Sequence, residues 1–265
     1  MRTFIALILS LFGTVALADT MRLAVTTSFH NSGLSDVLLP AVAKDTGLDV
    51  QLLVVGTGQA LRLGQAGDVD AILVHSKTAE EAFVAQGYGT HRREIMYNDF
   101  VLIGPAADPA GTQSAITASE ALQKIATAQA AFVSRGDDSG THRKERALWE
   151  DAALDPDSFA PWYKAVGAGM GASLNTASSL DAYIISDRAS WLKFGNKSGL
   201  GLLFSGDPEL FNQYAYLPVS AERHPHVQSG AAQQLEDWLT SATGQQLIDG
   251  YLIDGEKLFT FNATP

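Results

Sequence analysis

The 265-residue chain contains no cysteine, which excludes disulfide bonds and thiolate metal sites. Basic side chains are also scarce, since 18 Lys and Arg stand against 29 Asp and Glu for a formal net charge of -11. This balance argues against a surface for nucleic acid or for an anionic membrane. Internal repeats and low-complexity segments are absent. With 46% hydrophobic residues, the composition is typical of a globular protein.

Long hydrophobic runs are missing after the N-terminus. The apolar run from Phe4 to Val15 follows Arg2 and precedes Ala16-Leu17-Ala18, which has the small-x-small pattern of a cleavage site. The run is shorter than the roughly 20 residues that a spanning helix needs. We therefore predict a signal peptide at residues 1–18 and an exported mature protein that begins at Asp19.

Short apolar runs alternate with helical patterns, which predicts an α/β fold of parallel strands joined by crossover helices. The predicted strands are Arg22 to Thr26, Val50 to Val55, Ala71 to Val74, Met96 to Ile103, Ala131 to Ser134, Ala182 to Ile185 and Gln213 to Val219. The predicted helices are Leu34 to Thr46, Gln59 to Gln65, Thr78 to Gln86, Ala118 to Ala128, Gly140 to Asp151, Gly171 to Ser178 and Ala231 to Tyr251.

Two turn-rich stretches, residues 104–111 and 218–225, predict crossings between two lobes. Lobe 1 would comprise residues 19–104 and 219–265, and lobe 2 residues 105–218. In such an architecture a ligand binds between the lobes, at the carboxyl ends of the strands.

Three strand-to-helix junctions have the composition of anion-binding turns. Thr26-Thr27-Ser28 and Gly56-Thr57-Gly58 follow the first two strands, and each is open to a second reading as an ordinary cap or turn. Helix N-termini present unpaired N–H groups and a partial positive charge, and hydroxyl groups add further donors. Two such junctions in one lobe could converge on a single oxyanion.

The third junction, residues 134–141, is the most specific. Arg135 follows a strand directly, and its planar guanidinium can bind two oxygens of one anion. We expect Asp137 to hold that guanidinium, while Ser139, Gly140 and Thr141 open the next helix. Because the net charge opposes an incoming anion, such a site must rely on local dipoles and one or two buried cations.

Six long and unusual segments cover nearly all of the mature chain: TTSFHNSGL (26–34), VGTGQALRLGQAGDVDAILVH (55–75), MYNDFVLIGP (96–105), FVSRGDDSGTH (132–142), WYKAVGAGMG (162–171) and LFNQYAYLPV (210–219). In these segments the chain resembles the substrate-binding component of tungstate ABC transporters, within the two-lobed bacterial solute-binding proteins. Phosphate-binding relatives share an arginine, an acid and Ser-Gly-Thr at similar spacing, so residues 134–141 alone indicate an oxyanion and leave the element open.

The resemblance implies a type II periplasmic binding protein fold, with two Rossmann-like lobes joined by a two-strand hinge. Its lobes would close over tungstate, and also molybdate, in the periplasm and deliver the ion to a membrane permease. A monomer with no cofactor, no metal site and no catalytic residue is expected. The implied contacts to the oxyanion are Thr27, Ser28, Thr57, Arg135, Ser139, Gly140 and Thr141, with Asp137 behind Arg135. Residues 187–190 match the family pattern less well, so no ligand role is assigned to them.

Two alternatives stay open at this point. The same fold could capture phosphate or sulfate. A fully deprotonated ion needs only hydrogen-bond donors from the protein, whereas partly protonated phosphate also needs a hydrogen-bond acceptor. A less favoured alternative is an exported serine hydrolase with Ser139 as nucleophile and His142 as base. The sequence around Ser139 lacks the G-x-S-x-G nucleophile elbow that such enzymes carry.

Three further features are interpreted structurally. The segment Gly167 to Gly171 lacks a preceding strand in the sequence pattern and is interpreted as a turn or hinge. His224 and His226 are expected in a solvated loop, because no third metal ligand is in view. His75 is expected to hydrogen-bond within the structure, and Met96 to Phe100 to cross between the lobes.

Overall fold

A computed structural model of the chain describes residues 20–159 and 161–264. The predicted signal peptide, residues 1–18, lies outside the described residues. No α-helix in these two ranges has both the length and the apolar composition needed to cross a membrane.

The described residues form twelve strands and ten α-helices, several of which are short. The strands are β1 (Thr20–Thr26), β2 (Asp49–Val55), β3 (Ala71–Val74), β4 (Arg93–Pro105), β5 (Phe132–Ser134), β6 (Tyr163–Ala165), β7 (Tyr183–Asp187), β8 (Leu200–Phe204), β9 (Phe211–Pro218), β10 (Leu252–Ile253), β11 (Glu256–Lys257) and β12 (Thr260–Phe261). The helices are α1 (Thr27–Ser32), α2 (Leu34–Thr46), α3 (Thr57–Ala66), α4 (Lys77–Ala85), α5 (Ala118–Ala128), α6 (Gly140–Asp151), α7 (Met170–Leu180), α8 (Arg188–Lys193), α9 (Ser229–Leu239) and α10 (Ala242–Asp249).

One long strand, β4, joins the two halves of the main sheet. The strand order is β2-β1-β3-β9-β4-β7-β5-β6, and β8 and β12 also pair with β4. Residues 93–99 of β4 pair with β9, whereas residues 100–105 pair with β7 and β8. We call β1, β2, β3, β9 and β12 the first sheet half, and β5, β6, β7 and β8 the second sheet half.

Each sheet half is buried on both faces. In the first half, Leu23 and Val25 of β1 face one apolar cluster, and Ala24 between them faces another. In the second half, Phe132 and Val133 of β5 divide in the same way. Parallel strands covered by helices on both faces read as continuous apolar runs, which is why the sequence pattern predicted these strands and an α/β fold correctly.

The C-terminal helix was predicted wrongly as one element from Ala231 to Tyr251. Two helices occupy that stretch, and α9 ends at Leu239. Ser241 then begins α10 as its N-cap, because its Oγ accepts a hydrogen bond from Gly244 N at 3.2 Å. A Cβ on Gly244 would lie 2.6 Å from the carbonyl oxygen of Trp238, so glycine permits the close approach of the two helices.

The predicted return between the lobes at residues 218–225 is also wrong. Strand β9 already belongs to the first sheet half, since Ile72 pairs with Leu217 and Tyr97 with Gln213. Tyr214 and Tyr216 lie in the same apolar cluster as β1. Residues 211–218, assigned by the sequence to lobe 2, therefore pack with lobe 1, and we propose that the return crossing lies just before Phe211.

Substitution of Gly104 tests how tightly β4 packs in the second sheet half. A Cβ on Gly104 would collide with the Tyr183 ring and lie 2.8 Å from Leu203 Cδ1. We expect Gly104→Ala to lower the free energy of unfolding by about 1–3 kcal/mol through overpacking, measured by urea denaturation. Gly201, its partner in the β4–β8 register, has open space at the Cβ position. Gly201→Ala is thus the matched control, with an expected change of about 0.5 kcal/mol or less.

Candidate functional site

The beginnings of five helices meet at one cleft of about 860 Å³ between the sheet halves. Helices α1 and α3 reach it from the first half, and α6, α7 and α8 from the second. All three predicted junctions line it, through Thr27 and Ser28, Thr57, and Arg135 with Ser139. The carboxyl ends of β1, β2, β5, β6 and β7 lead into these helices, which is the position where open α/β sheets bind ligands.

The first junction presents the Ser28 hydroxyl on a polar support. Thr26 is the N-cap of α1, and its Oγ1 accepts from Phe29 N at 3.2 Å. The Ser28 Oγ lies 3.0 Å from Thr26 Oγ1, 3.2 Å from His75 Nε2 and 3.3 Å from Tyr214 OH. Three neighbours fix the position of this hydroxyl, while Thr27 beside it is exposed to the cleft.

The second junction presents a helix start without a side-chain cap. Gly56 is the N-cap of α3, and no side chain caps the first N–H groups of that helix. The Thr57 side chain is 5% exposed, and its hydroxyl has no hydrogen-bond partner within the described part of the chain. A buried hydroxyl without a partner is costly, so Thr57 and the N–H groups beside it are suited to a ligand with acceptor oxygens.

Arg135 is the buried cation of the third junction. Its side chain is 11% exposed, and Nη2 donates to Asp137 Oδ2 at 2.6 Å. Its Nε is buried and has no acceptor among residues 20–159 and 161–264. Burial raises the pKa of Asp137, but hydrogen bonds from Ser139 and Arg135 and the charge of Arg135 bring it below its ordinary value. Asp137 therefore stays ionised and holds the guanidinium at the cleft, as predicted for this pair.

The turn between β5 and α6 adopts an unusual backbone. Gly136 has φ +62°, and a Cβ there would lie 2.9 Å from Ala165 Cβ, so glycine is required. Asp138 has φ +56° and is held by two hydrogen bonds from Arg143, at 2.9 and 3.0 Å. This turn aims Arg135 and the N-cap Ser139 into the same cleft.

Gly140 and Thr141, both predicted ligand contacts, lie behind the cleft surface. A Cβ on Gly140 would lie 2.6 Å from His75 Cε1, so the two sheet halves touch at this point. Thr141 is buried, and its Oγ1 lies 3.5 Å from Arg135 Nη1. The direct roles of Gly140 and Thr141 stay predictions, whereas their packing behind Arg135 and against His75 is seen in the structure.

The glycine segment 167–171 begins as a turn, as predicted, but a strand does precede it, contrary to the prediction. Strand β6 pairs with β5, and beyond the strand Gly167 N donates to the Arg135 carbonyl oxygen at 2.8 Å. Gly169 is the N-cap of α7, and no side chain caps that helix. Gly169, Met170 and Gly171 line the cleft, so a second uncapped helix N-terminus faces the site beside Arg135.

Residues 187–190, to which the sequence assigned no role, also line the cleft through Asp187 and Ser190. Asp187 is the N-cap of α8, and its Oδ1 accepts from Ser190 N at 2.8 Å. The following residue, Arg188, binds Asp99 of β4 through two hydrogen bonds of 2.7 and 2.5 Å. Strand β7 thus ends in a buried acid at the cleft. Arg188, the residue after this acid, binds β4, the strand that joins the two sheet halves.

A buried amide pair missed by the sequence analysis supports the first junction. Asn212 Nδ2 donates to Asn98 Oδ1 at 2.8 Å, and both residues are 4% exposed. The Asn212 side chain also lies near His75, whose Nε2 lies 3.2 Å from Ser28 Oγ. The motifs MYNDF and LFNQYAY carried the resemblance, but only the antiparallel pairing of β4 and β9 brings Asn98 and Asn212 together.

The geometry does not form the serine–histidine pair of a hydrolase. The Ser139 Oγ accepts from the backbone N of His142 at 3.3 Å, while His142 Nδ1 accepts from Asp138 N at 3.1 Å. Ser139 therefore caps α6, and the His142 ring turns toward the preceding turn. On the same helix, Glu145 is buried, and burial raises its pKa to about 7.

His224 and His226 lie in a largely exposed loop between β9 and α9, as predicted, and from there they contact the end of α3. Their Nε2 atoms lie 3.0 Å from Gln65 O and 2.9 Å from Gly67 O. Across the described residues, no group of three His, Cys, Asp or Glu side chains is arranged to hold a metal ion.

Comparison with known proteins identifies the family. Residues 14–243 match the model of the PBP superfamily domain. The chain is 44% identical over 245 residues to the tungstate-binding protein TupA of Peptoclostridium acidaminophilum, covering 91% of this chain and 85% of the relative.

Two solved structures have the same architecture. The tungstate-binding protein TupA from Desulfovibrio alaskensis G20 superposes with a TM-score of 0.87 at 43% identity, covering 93% of this chain and 100% of that chain. The tungstate ABC transporter structure from Geobacter sulfurreducens superposes with a TM-score of 0.80 at 45% identity, covering 88% and 98%. The predicted periplasmic binding protein fold is thereby confirmed.

The pKa of His75 provides a test of the polar support behind Ser28. Burial lowers the pKa of His75 to about 4 from an ordinary value of 6.5, and the nearby charge of Arg135 acts in the same direction. In the unfolded chain this residue binds a proton near pH 6.5, but in the folded protein it does so only near pH 4. Stability should therefore fall as the pH drops from 7 to 4, with a contribution of about 3 kcal/mol from this residue.

Two measurements check this expectation. An NMR titration of the histidine ring protons should show one resonance, absent in His75→Gln, that does not shift above pH 5. The free energy of unfolding of His75→Gln should depend less steeply on pH than that of the wild type between pH 7 and 4. An ordinary titration of His75 near pH 6.5 would contradict the assignment.

Proposed function

The chain belongs to the tungstate-binding TupA family of the PBP superfamily, and from this premise we propose that it captures a tetrahedral oxyanion, tungstate, in the cleft between the sheet halves. Molybdate, with the same charge and shape, is the second candidate ligand. The loaded protein would deliver the ion to the membrane permease of an ABC importer. We further propose that it works as an exported, periplasmic monomer without enzymatic activity.

The observation that carries this proposal is the buried guanidinium of Arg135 at the cleft. Asp137 occupies one edge of it, and the Nε atom has no acceptor in the described structure. A guanidinium can donate from several N–H groups in one plane, which suits the oxygens of a tetrahedral anion. Arg135 is thus a binding group with donor capacity that Asp137 does not use.

Helix N-termini supply the remaining donors. The first residues of α3 and α7 both line the cleft, and neither helix carries a side-chain cap. Their first N–H groups and the positive ends of their dipoles favour an anion between them. Hydroxyl groups of Thr27, Ser28 and Thr57 add donors whose number does not change with pH. This donor set compensates for the acidic net charge.

The chemistry of the donors favours a fully deprotonated ion. Tungstate, molybdate and sulfate carry no proton near pH 7, so their four oxygens need donors alone. Phosphate is partly protonated and requires an acceptor as well. Membership of the TupA family supports tungstate within this set, and phosphate or sulfate capture by the same fold is the alternative that a titration decides.

Calorimetric titration of the purified mature protein with tungstate, molybdate, sulfate and phosphate tests the ligand. We expect tight one-to-one binding of tungstate. Arg135→Ala should weaken it by at least about 100-fold, roughly 3 kcal/mol, because truncation leaves a buried dianion without its cationic partner.

Arg146→Ala is the matched control. Arg146 lies on the same helix, α6, but forms an exposed ion pair with Asp157 away from the cleft, so tungstate affinity should be unchanged. Tight binding of phosphate with none of tungstate would overturn the ligand assignment. Wild-type affinity in Arg135→Ala would overturn the site.

A further inference from the structure

Asp187 is a buried acidic residue in a cleft that we propose binds an anion. Its side chain is 2% exposed and lines the cleft that holds Arg135. One carboxyl oxygen, Oδ1, is used as the N-cap of α8, while the other, Oδ2, is buried with no hydrogen-bond partner in the described chain. A buried carboxylate oxygen without a donor is unfavourable, and a dianion in the same cleft would repel it further.

The neighbouring charges do not neutralise Asp187. Arg135 is already engaged by Asp137 at 2.6 Å. The next cation along the chain, Arg188, donates both of its hydrogen bonds to Asp99. Burial raises the pKa of the Asp187 carboxyl above its ordinary value, although bonds from Ser190 and the charge of Arg135 oppose this. Asp187 therefore has the environment of a carboxyl group that takes up a proton readily.

We propose that Asp187 binds the oxyanion as a neutral acid, with the Oδ2 hydroxyl donating a hydrogen bond to one ligand oxygen, so that capture of the dianion is coupled to uptake of one proton. This inference rests on the proposed function, since it concerns the same cleft and the same ion. The proton comes from the solvent buffer and is released again when the ion leaves.

Other titratable and charged groups surround Asp187 on several elements. They are Asp137 and Arg135 on the β5–α6 turn, His75 at the end of β3, Asp99 of β4, Tyr214 of β9, and Arg188 and Lys193 on α8. Among the acids, Asp137 and Asp99 are each paired with an arginine. Burial raises the pKa of Tyr214 and lowers that of His75 to about 4, so both are neutral near pH 7. Of the three acids that line the cleft, Asp137 and Asp138 are each paired with an arginine, whereas Asp187 is not.

The balance of charge in the cleft supports the neutral acid. Four basic side chains line it, namely Arg62, Arg135, Arg143 and Lys193, against three acidic ones, Asp137, Asp138 and Asp187. With Asp187 protonated, the lining has two positive charges in excess and matches a dianion. With Asp187 ionised, one charge of the ion would be uncompensated in a site where charges are weakly screened.

Asparagine at this position separates the two roles of Asp187. The side-chain oxygen of Asp187→Asn can still accept from Ser190 N, because asparagine is as good an N-cap as aspartate. Its amide nitrogen stands in the place of Oδ2 and offers permanent N–H donors. The variant should therefore fold and bind tungstate, but without the exchange of a proton.

Calorimetric titration with tungstate in PIPES, HEPES and Tris buffers, whose ionisation enthalpies differ, counts the protons taken up. For the wild type at pH 7 we expect uptake approaching one proton per ion, with affinity rising by up to about tenfold per pH unit as the pH falls from 8.5 to 6.5. For Asp187→Asn we expect no uptake and an affinity that does not vary with pH. Asp155→Asn, an aspartate cap outside the cleft, should behave as the wild type.

The outcomes are distinct. A wild type that binds tungstate without proton uptake overturns this inference and leaves the proposed function standing. Equal uptake in Asp187→Asn places the proton on another group, such as His75, and also overturns it. If the wild type binds phosphate and Asp187→Asn loses that binding, Asp187 is an ionised acceptor for a protonated ligand instead. A wild type that binds no oxyanion refutes the proposed function itself.

Discussion

Removing a doubly charged anion from water is the constraint on which the rest of this structure depends. Each ligand oxygen must meet a donor that is already in place, since unpaired charge in a buried site is costly. In an acidic chain that compensation cannot come from the global field, and it is assembled locally. We propose that Arg135, held by Asp137, supplies the charge and that the uncapped starts of α3 and α7 supply oriented N–H groups. The sheet and its short connections place these parts within one cleft.

Features encoded within a few consecutive residues were predictable from the sequence. The α6 boundaries, the pairing of Arg135 with Asp137 and the position of Thr57 beside the cleft all follow from strand-to-helix junctions, which can be recognised from local sequence. The start of α7 at Gly169 could not be predicted in this way. The strand before it, β6, is only three residues long and is recognisable as a strand only through its pairing with β5. Asp187 was missed for a related reason, since its importance lies in what surrounds it after folding.

The division of the chain shows the same limit. Residues 211–218 have the composition of any buried strand, and nothing local says which sheet half they join. Their antiparallel pairing with β3 and β4 decides it, and the same pairing creates the Asn98–Asn212 amide pair at the junction of the halves. Long-range partners, rather than local propensity, are what a single sequence leaves undetermined.

The contact between Gly140 and His75 has a consequence for how such a cage could change over evolution. The start of α6, in the second sheet half, lies against the His75 ring of the first sheet half. This contact leaves no room for a side chain at residue 140. Because residue 140 has no side chain, the start of α6 and the His75 ring can lie in direct contact. A methyl group at residue 140 would collide with the His75 ring, so either that ring shifts or the two sheet halves move apart and the cleft between them widens.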